Sequence, residues 1–181
     1  PTGEHLLKAL SQFQLTLVSA NAKYDQVRAG TNTFTEQEAK GYTLFQQHCN
    51  ACHTEPLFSS YQFENNGLPV DTTLNDFGKW TITGRTSDSL LFKVPSLRNL
   101  SYTFPYMHDG RFAKLRDVLN HYTHGIQHHP TLSPELQTPI VLSSHDKTDL
   151  MAFLLTLNDT EFVFDPSHQY PREVFHPKLK P

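Results

Sequence analysis

Apolar residues recur at helical spacing in several separated stretches, and between them the rhythm disappears. Over residues 4–20, Leu6, Leu7, Leu10, Phe13, Leu17 and Val18 fall at intervals that place them on one side of a helix. An ordinary core helix is expected there. Residues 21–34 read as a turn-rich connection anchored by Tyr24, Val27 and Gly30. Thr35-Glu36-Gln37-Glu38 is a capping box, a hydroxyl answered by a carboxylate three residues on. It opens a helix over about 35–48 with Ala39, Tyr42, Leu44 and Phe45 mostly on one side. Leu115, Val118, Leu119 and Tyr122 share one face of a short helix over 114–122. Ser133-Pro134-Glu135 starts another short turn, with serine as cap and proline in the first turn. The last helix is expected over about 145–157, capped by Ser144, with Lys147 at the box position and a stripe of Leu150, Phe153, Leu154 and Leu157.

Residues 54–114 keep neither period for long. Asn65-Asn66-Gly67 and Phe77-Gly78 are turn signals within them. A structureless stretch of this length is uncommon in a compact domain. A large prosthetic group accounts for it, because loop side chains then pack on the group instead of on helices. Phe58, Phe63, Leu68, Trp80, Leu91, Phe92, Val94, Leu97 and Leu100 are the candidates for that shell. Pro166, Pro171, Pro177 and Pro181 mark an extended tail. The pattern divides the chain into a helix and linker at 1–34, a central unit at 35–160 and a tail at 161–181. The fold class is all-α with long loops.

The chemistry sits at Cys49-Asn50-Ala51-Cys52-His53, the C-x-x-C-H spacing of covalent c-type haem attachment. Two thiols close in sequence add across the two vinyl groups of the porphyrin. The next residue then brings an imidazole to the iron. A disulfide, a thioredoxin-like pair and half a zinc site are the alternatives for the two cysteines. Zinc lacks a second pair, since the chain has no other cysteine. For the sixth iron position the sequence offers Met107, His108, His121, His124 and Tyr122. Methionine gives a high-potential haem, a second histidine a lower one, and a tyrosinate favours ferric iron. Spacing alone does not choose among them, and an inward tyrosine is also an ordinary core ring.

Composition narrows the rest. The formal net charge is −3 and no basic stripe exists, which argues against nucleic-acid binding. No apolar run is long enough to span a bilayer. The segment 121–129 holds four of the eleven histidines, as either a surface metal site or a solvent-exposed run. Asp109 and Asp117 are weak candidates for a cation site. Haem is attached outside the cytoplasm, so a processed, exported, periplasmic protein is expected.

With these motifs in order, the chain resembles the bacterial dihaem cytochrome c peroxidases, including their MauG-like branch. The matching pieces are Gly41-x-x-Leu44-Phe45, the Cys49–His53 motif, Phe63-x-Asn65-x-Gly67 and Phe92-Lys93-Val94-Pro95-Ser96-Leu97-Arg98-Asn99. Thr103-Phe104-Pro105-Tyr106-Met107-His108-Asp109-Gly110, Leu115-Arg116-Asp117-Val118-Leu119-x-x-Tyr122-x-x-Gly125 and Asp149-Leu150-x-Ala152-Phe153-Leu154-x-Thr156-Leu157 complete the set. The resemblance implies a cytochrome c-like haem domain, the C-terminal one of two, with the first haem motif and the peroxide site absent here, as in a fragment. It implies one covalent haem c on Cys49 and Cys52, with His53 and Tyr122 as axial ligands. Tyr122 stands where typical peroxidases carry methionine and the MauG-like branch carries tyrosine. It also implies a calcium ion held partly by backbone oxygens of Thr103 and Pro105.

The implied partners are an N-terminal haem domain, a redox protein or small-molecule electron donor, hydrogen peroxide for the whole protein, and a second copy in a homodimer. The function implied is relay or storage of electrons or oxidising equivalents for peroxide reduction by the full-length oxidoreductase. A monohaem electron carrier without catalysis is the alternative. Arg98, amid apolar shell candidates, is expected to neutralise a haem propionate or to hold its loop against the haem edge, since guanidinium suits a carboxylate.

Overall fold

The computed structural model describes residues 2–169. Seven helices dominate: α1 Gly3–Thr16, α2 Lys23–Arg28, α3 Glu36–His48, α4 Trp80–Thr83, α5 Leu115–Asn120, α6 Ser144–Leu155 and α7 Thr160–Val163. Two short strands, β1 Phe63–Glu64 and β2 Phe92–Lys93, pair antiparallel with Phe63 opposite Lys93. The fold is therefore mostly helical with long loops, as the sequence indicates.

The centre is the packing of α3 on α6. Gly41 makes it close, because a Cβ there would run into the Asp149 carbonyl of α6. Phe45, Phe58, Phe153, Leu150 and Leu157 are fully buried around that contact. Tyr24 of α2 joins them, its ring 4.8 Å from that of Phe58. The capping box of α3 forms as the sequence predicts, with Thr35 Oγ1 accepting from the Glu38 N–H at 3.2 Å and Glu38 accepting from the Thr35 N–H at 2.7 Å.

Four expectations need correction. Helix α1 exists, but none of its residues is buried, and Leu6, Leu7, Leu10 and Phe13 are exposed. Its period reports an amphipathic helix and says nothing about what covers the stripe. The connection over 21–34 contains α2. Ser143, not Ser144, caps α6, and Asp146 closes the box. Helix α5 stops at Asn120, and the chain widens into a π-type turn over His121–Gly125, which carries Tyr122. The tail shows a short turn at Pro166–His168, and residues 170–181 lie outside the described residues.

Candidate functional site

Helix α3 ends by delivering Cys49, whose N–H donates to the Phe45 carbonyl at 2.8 Å. The chain then turns tightly, with the His53 N–H on the Cys49 carbonyl at 2.9 Å. Cys49, Cys52 and His53 thus come to the wall of one cavity of about 500 Å³. Cys49 and Cys52 form no disulfide. Most of the remaining wall is apolar: Phe92, Val94, Leu97 and Leu100 from the long loop, Leu115, Val118 and Leu119 from α5, Ile140 and Leu142, and Leu150 and Leu154 from α6. Of the other shell candidates, Phe58 lies in the core, Leu68 is buried away from the wall, Leu91 is half-buried, and Phe63 and Trp80 are exposed.

His53 is held in one tautomer. Its Nδ1 lies 3.2 Å from the Phe58 carbonyl and 3.1 Å from the Pro95 carbonyl. A carbonyl only accepts, so Nδ1 carries the proton and Nε2 keeps its lone pair for a metal. Burial lowers the His53 pKa, which favours this neutral form.

The rivals for a second ligand are not equivalent. Tyr122 lines the cavity, and burial pushes its hydroxyl up to about 12 while the Asn66 side chain acts the other way. Met107 lines it too, on left-handed backbone with φ 71°, its Sδ 3.6 Å from Asn66 Nδ2. His108 also lines the cavity, but it is exposed and stacks on Phe92 at 3.7 Å between ring centres. His121 is buried with Nε2 2.9 Å from the Asn66 carbonyl, and it is not on the cavity wall. His124 is exposed beside the Thr123 hydroxyl.

Arg98 lies off the cavity wall. Its Nη1 and Nη2 donate to Asp25 at 2.9 and 2.7 Å, and its Nε and Nη2 to the Pro56 carbonyl. Thr103 and Pro105 are on the wall. Asp109 pairs with Arg111. Among the described residues no three His, Cys, Asp or Glu side chains gather into a metal site, so the histidine run forms no such cluster. Two features escaped the sequence reading. Tyr24 and Tyr42 both donate to Glu55, at 2.6 and 3.0 Å. Asn66 touches two of the ligand candidates, Met107 and His121, whereas in sequence it reads only as a turn residue.

Paired thiols, an imidazole with its outer nitrogen tied back, and an apolar wall fit a covalently held porphyrin. The cytochrome c family model matches residues 38–158, and the chain belongs to that family as a c-type haem domain. Within it, the chain is homologous to MauG-like proteins and dihaem cytochrome c peroxidases. It is 39% identical over 156 residues to the methylamine utilization protein MauG of Methylorubrum extorquens, covering 84% of this chain and 44% of that protein. It is 34% identical to cytochrome c551 peroxidase of Nitrosomonas europaea, over 65% of this chain and 36% of that one. A crystal structure of a MauG-like protein associated with microbial copper homeostasis superposes with a TM-score of 0.70 at 32% identity, covering 84% of this chain and 56% of that chain. The chain spans about half or less of the length of these curated relatives. No helix among the described residues is long and apolar enough to cross a membrane.

Proposed function

We propose that this chain is the C-terminal haem domain of a periplasmic dihaem peroxidase or MauG-like oxidoreductase. It holds electrons or oxidising equivalents for the reduction of hydrogen peroxide by the whole protein. The observation that carries this reading is the joint placement of Cys49, Cys52, His53 and Tyr122 on one apolar cavity. Cys49 and Cys52 anchor the haem, His53 presents Nε2, and Tyr122 presents its oxygen. The haem, when bound, supplies the redox chemistry, and the protein supplies position and electrostatics. Tyr122 must give up its proton to bind as phenolate. Burial opposes this, and a nearby ferric cation would favour it. A tyrosinate stabilises ferric and more oxidised iron, so the domain acts as a store more than as an easily reduced carrier.

Met107 on the same wall supports a second reading, a high-potential electron carrier. The test uses the haem-loaded chain, first shown by intact mass to carry one haem. Tyr122→Phe is expected to change the ferric spectrum and raise the potential, with Met107→Leu leaving both nearly unchanged. The reverse pattern makes Met107 the ligand and the carrier reading correct. Failure of the full-length protein to consume peroxide would remove the enzymatic part.

A further inference from the structure

We infer that Asn66 selects the sixth ligand, its side-chain amide engaging the Met107 thioether so that the position is left to Tyr122. The inference rests on the reading of Tyr122 as a ligand and adds the residue that enforces it. Asn66 lies on the same cavity wall as both rivals. Its Oδ1 accepts the Leu68 N–H at 3.2 Å. That bond fixes which way the amide faces, because only the oxygen can accept. The NH₂ group is left pointing at Met107 Sδ, 3.6 Å away, and Tyr122 lies on the same cavity wall. The backbone on either side is pinned as well: the Gly67 N–H donates to Asn65 Oδ1 at 2.8 Å, and Gly67 sits at φ 69°, where a β-carbon would run into Ile126.

A sulfur that accepts an N–H has less of its lone pair free for iron, so a donor held on Met107 favours Tyr122 for the same position. His121 is kept out separately, its Nε2 engaged by the Asn66 backbone carbonyl at 2.9 Å. A change of the Asn66 side chain leaves that bond in place, so His121 serves as an internal control.

Asn66→Asp tests this in the haem-loaded chain. It keeps the shape and the acceptor for the Leu68 N–H but removes both donors. Asn66→Leu removes donors and acceptor together. We expect the ligand equilibrium in both to move about fivefold from Tyr122 toward Met107, the size of one lost neutral hydrogen bond. In Asn66→Leu the ferric spectrum should gain a thioether-to-iron band in the red, with a higher potential. That band should vanish in Asn66→Leu/Met107→Leu. Asn66→Gln, which restores a donor, should recover part of the tyrosinate spectrum. Wild-type spectra and potential in both donor-free variants, with Tyr122→Phe altered, overturn the role of Asn66 alone. An unaltered Tyr122→Phe spectrum overturns the tyrosine reading and this inference together.

Discussion

Arg98 turns its donors toward the protein. Its side chain is 12% exposed and that of Asp25 is 19% exposed, so the pair is largely desolvated. Removing one partner of such a pair strands the other charge. Arg98→Ala is therefore expected to lower stability by about 3 kcal/mol in denaturant unfolding. Because the guanidinium meets Asp25 and Pro56, the haem potential should move little in the same variant, and a large shift in potential with unchanged stability would point to a propionate contact instead. The Pro56 carbonyl ties residue 98 to the stretch just after the haem motif, so the expected loosening is of the loop against the cavity. At this scale the sequence showed the cysteine pair and His53 plainly, because two thiols and an imidazole at fixed spacing have few other uses. The weight of Asn66 was not legible. Its contacts come from residues 107 and 121, which only the folded loops bring together.

Helices α3 and α6 show what local rules can and cannot supply. The box at Thr35–Glu38 depends on four neighbouring residues, so it was readable. The cap of α6 was misplaced by one residue because two serines stand side by side, and Asp146, three after Ser143, decides between them. What no local rule gives is the partner of each stripe, which is why α1 was expected to be buried and is not. The α3–α6 contact carries the element-level prediction. A methyl group at Gly41 would strike the Asp149 backbone, which has no side chain to swing aside. Gly41→Ala should push the helices apart and cost on the order of 3 kcal/mol, the upper range for overpacking. Thermal unfolding of the haem-loaded chain measures it. A melting temperature within a degree or so of wild type would mean that the helices slide past each other at little cost.

Across the molecule, Asp159 fastens the chain after α1 to the end of α6. It is 2% exposed and accepts the Asn21 N–H at 2.9 Å, the Phe162 N–H at 3.0 Å and the Ser19 hydroxyl at 3.3 Å. Burial alone raises a carboxyl pKa, but these hydrogen bonds outweigh it and hold Asp159 below the usual range. A folded value below the unfolded one, about 3.9, means that its contribution is complete above that pH and is lost as pH falls through the folded value. Asp159→Asn should thus be less stable than wild type at neutral pH, with the gap closing under acid in melts taken across pH. A gap that stays constant would show that the charge is not what matters. Fold class was legible at this scale because helical periods dominate. The route of residues 54–114 was not, since loops that pack on a cavity wall carry no period of their own.

The place of the two thiols also sets an order in time. Cys49 sits where α3 meets the cavity, and burial, with Cys52 beside it, raises its thiol to about 12. The thiolate is the reactive form of cysteine. A polypeptide that has already closed over this space disfavours the Cys49 thiolate, and an open one does so less. Helix α3 carries its own cap and can form early, while the loops that complete the wall gain a surface to settle on only once the haem is in place. Bond formation first and closure second is the sequence of events this arrangement favours, so the last step in shaping the molecule follows a chemical one.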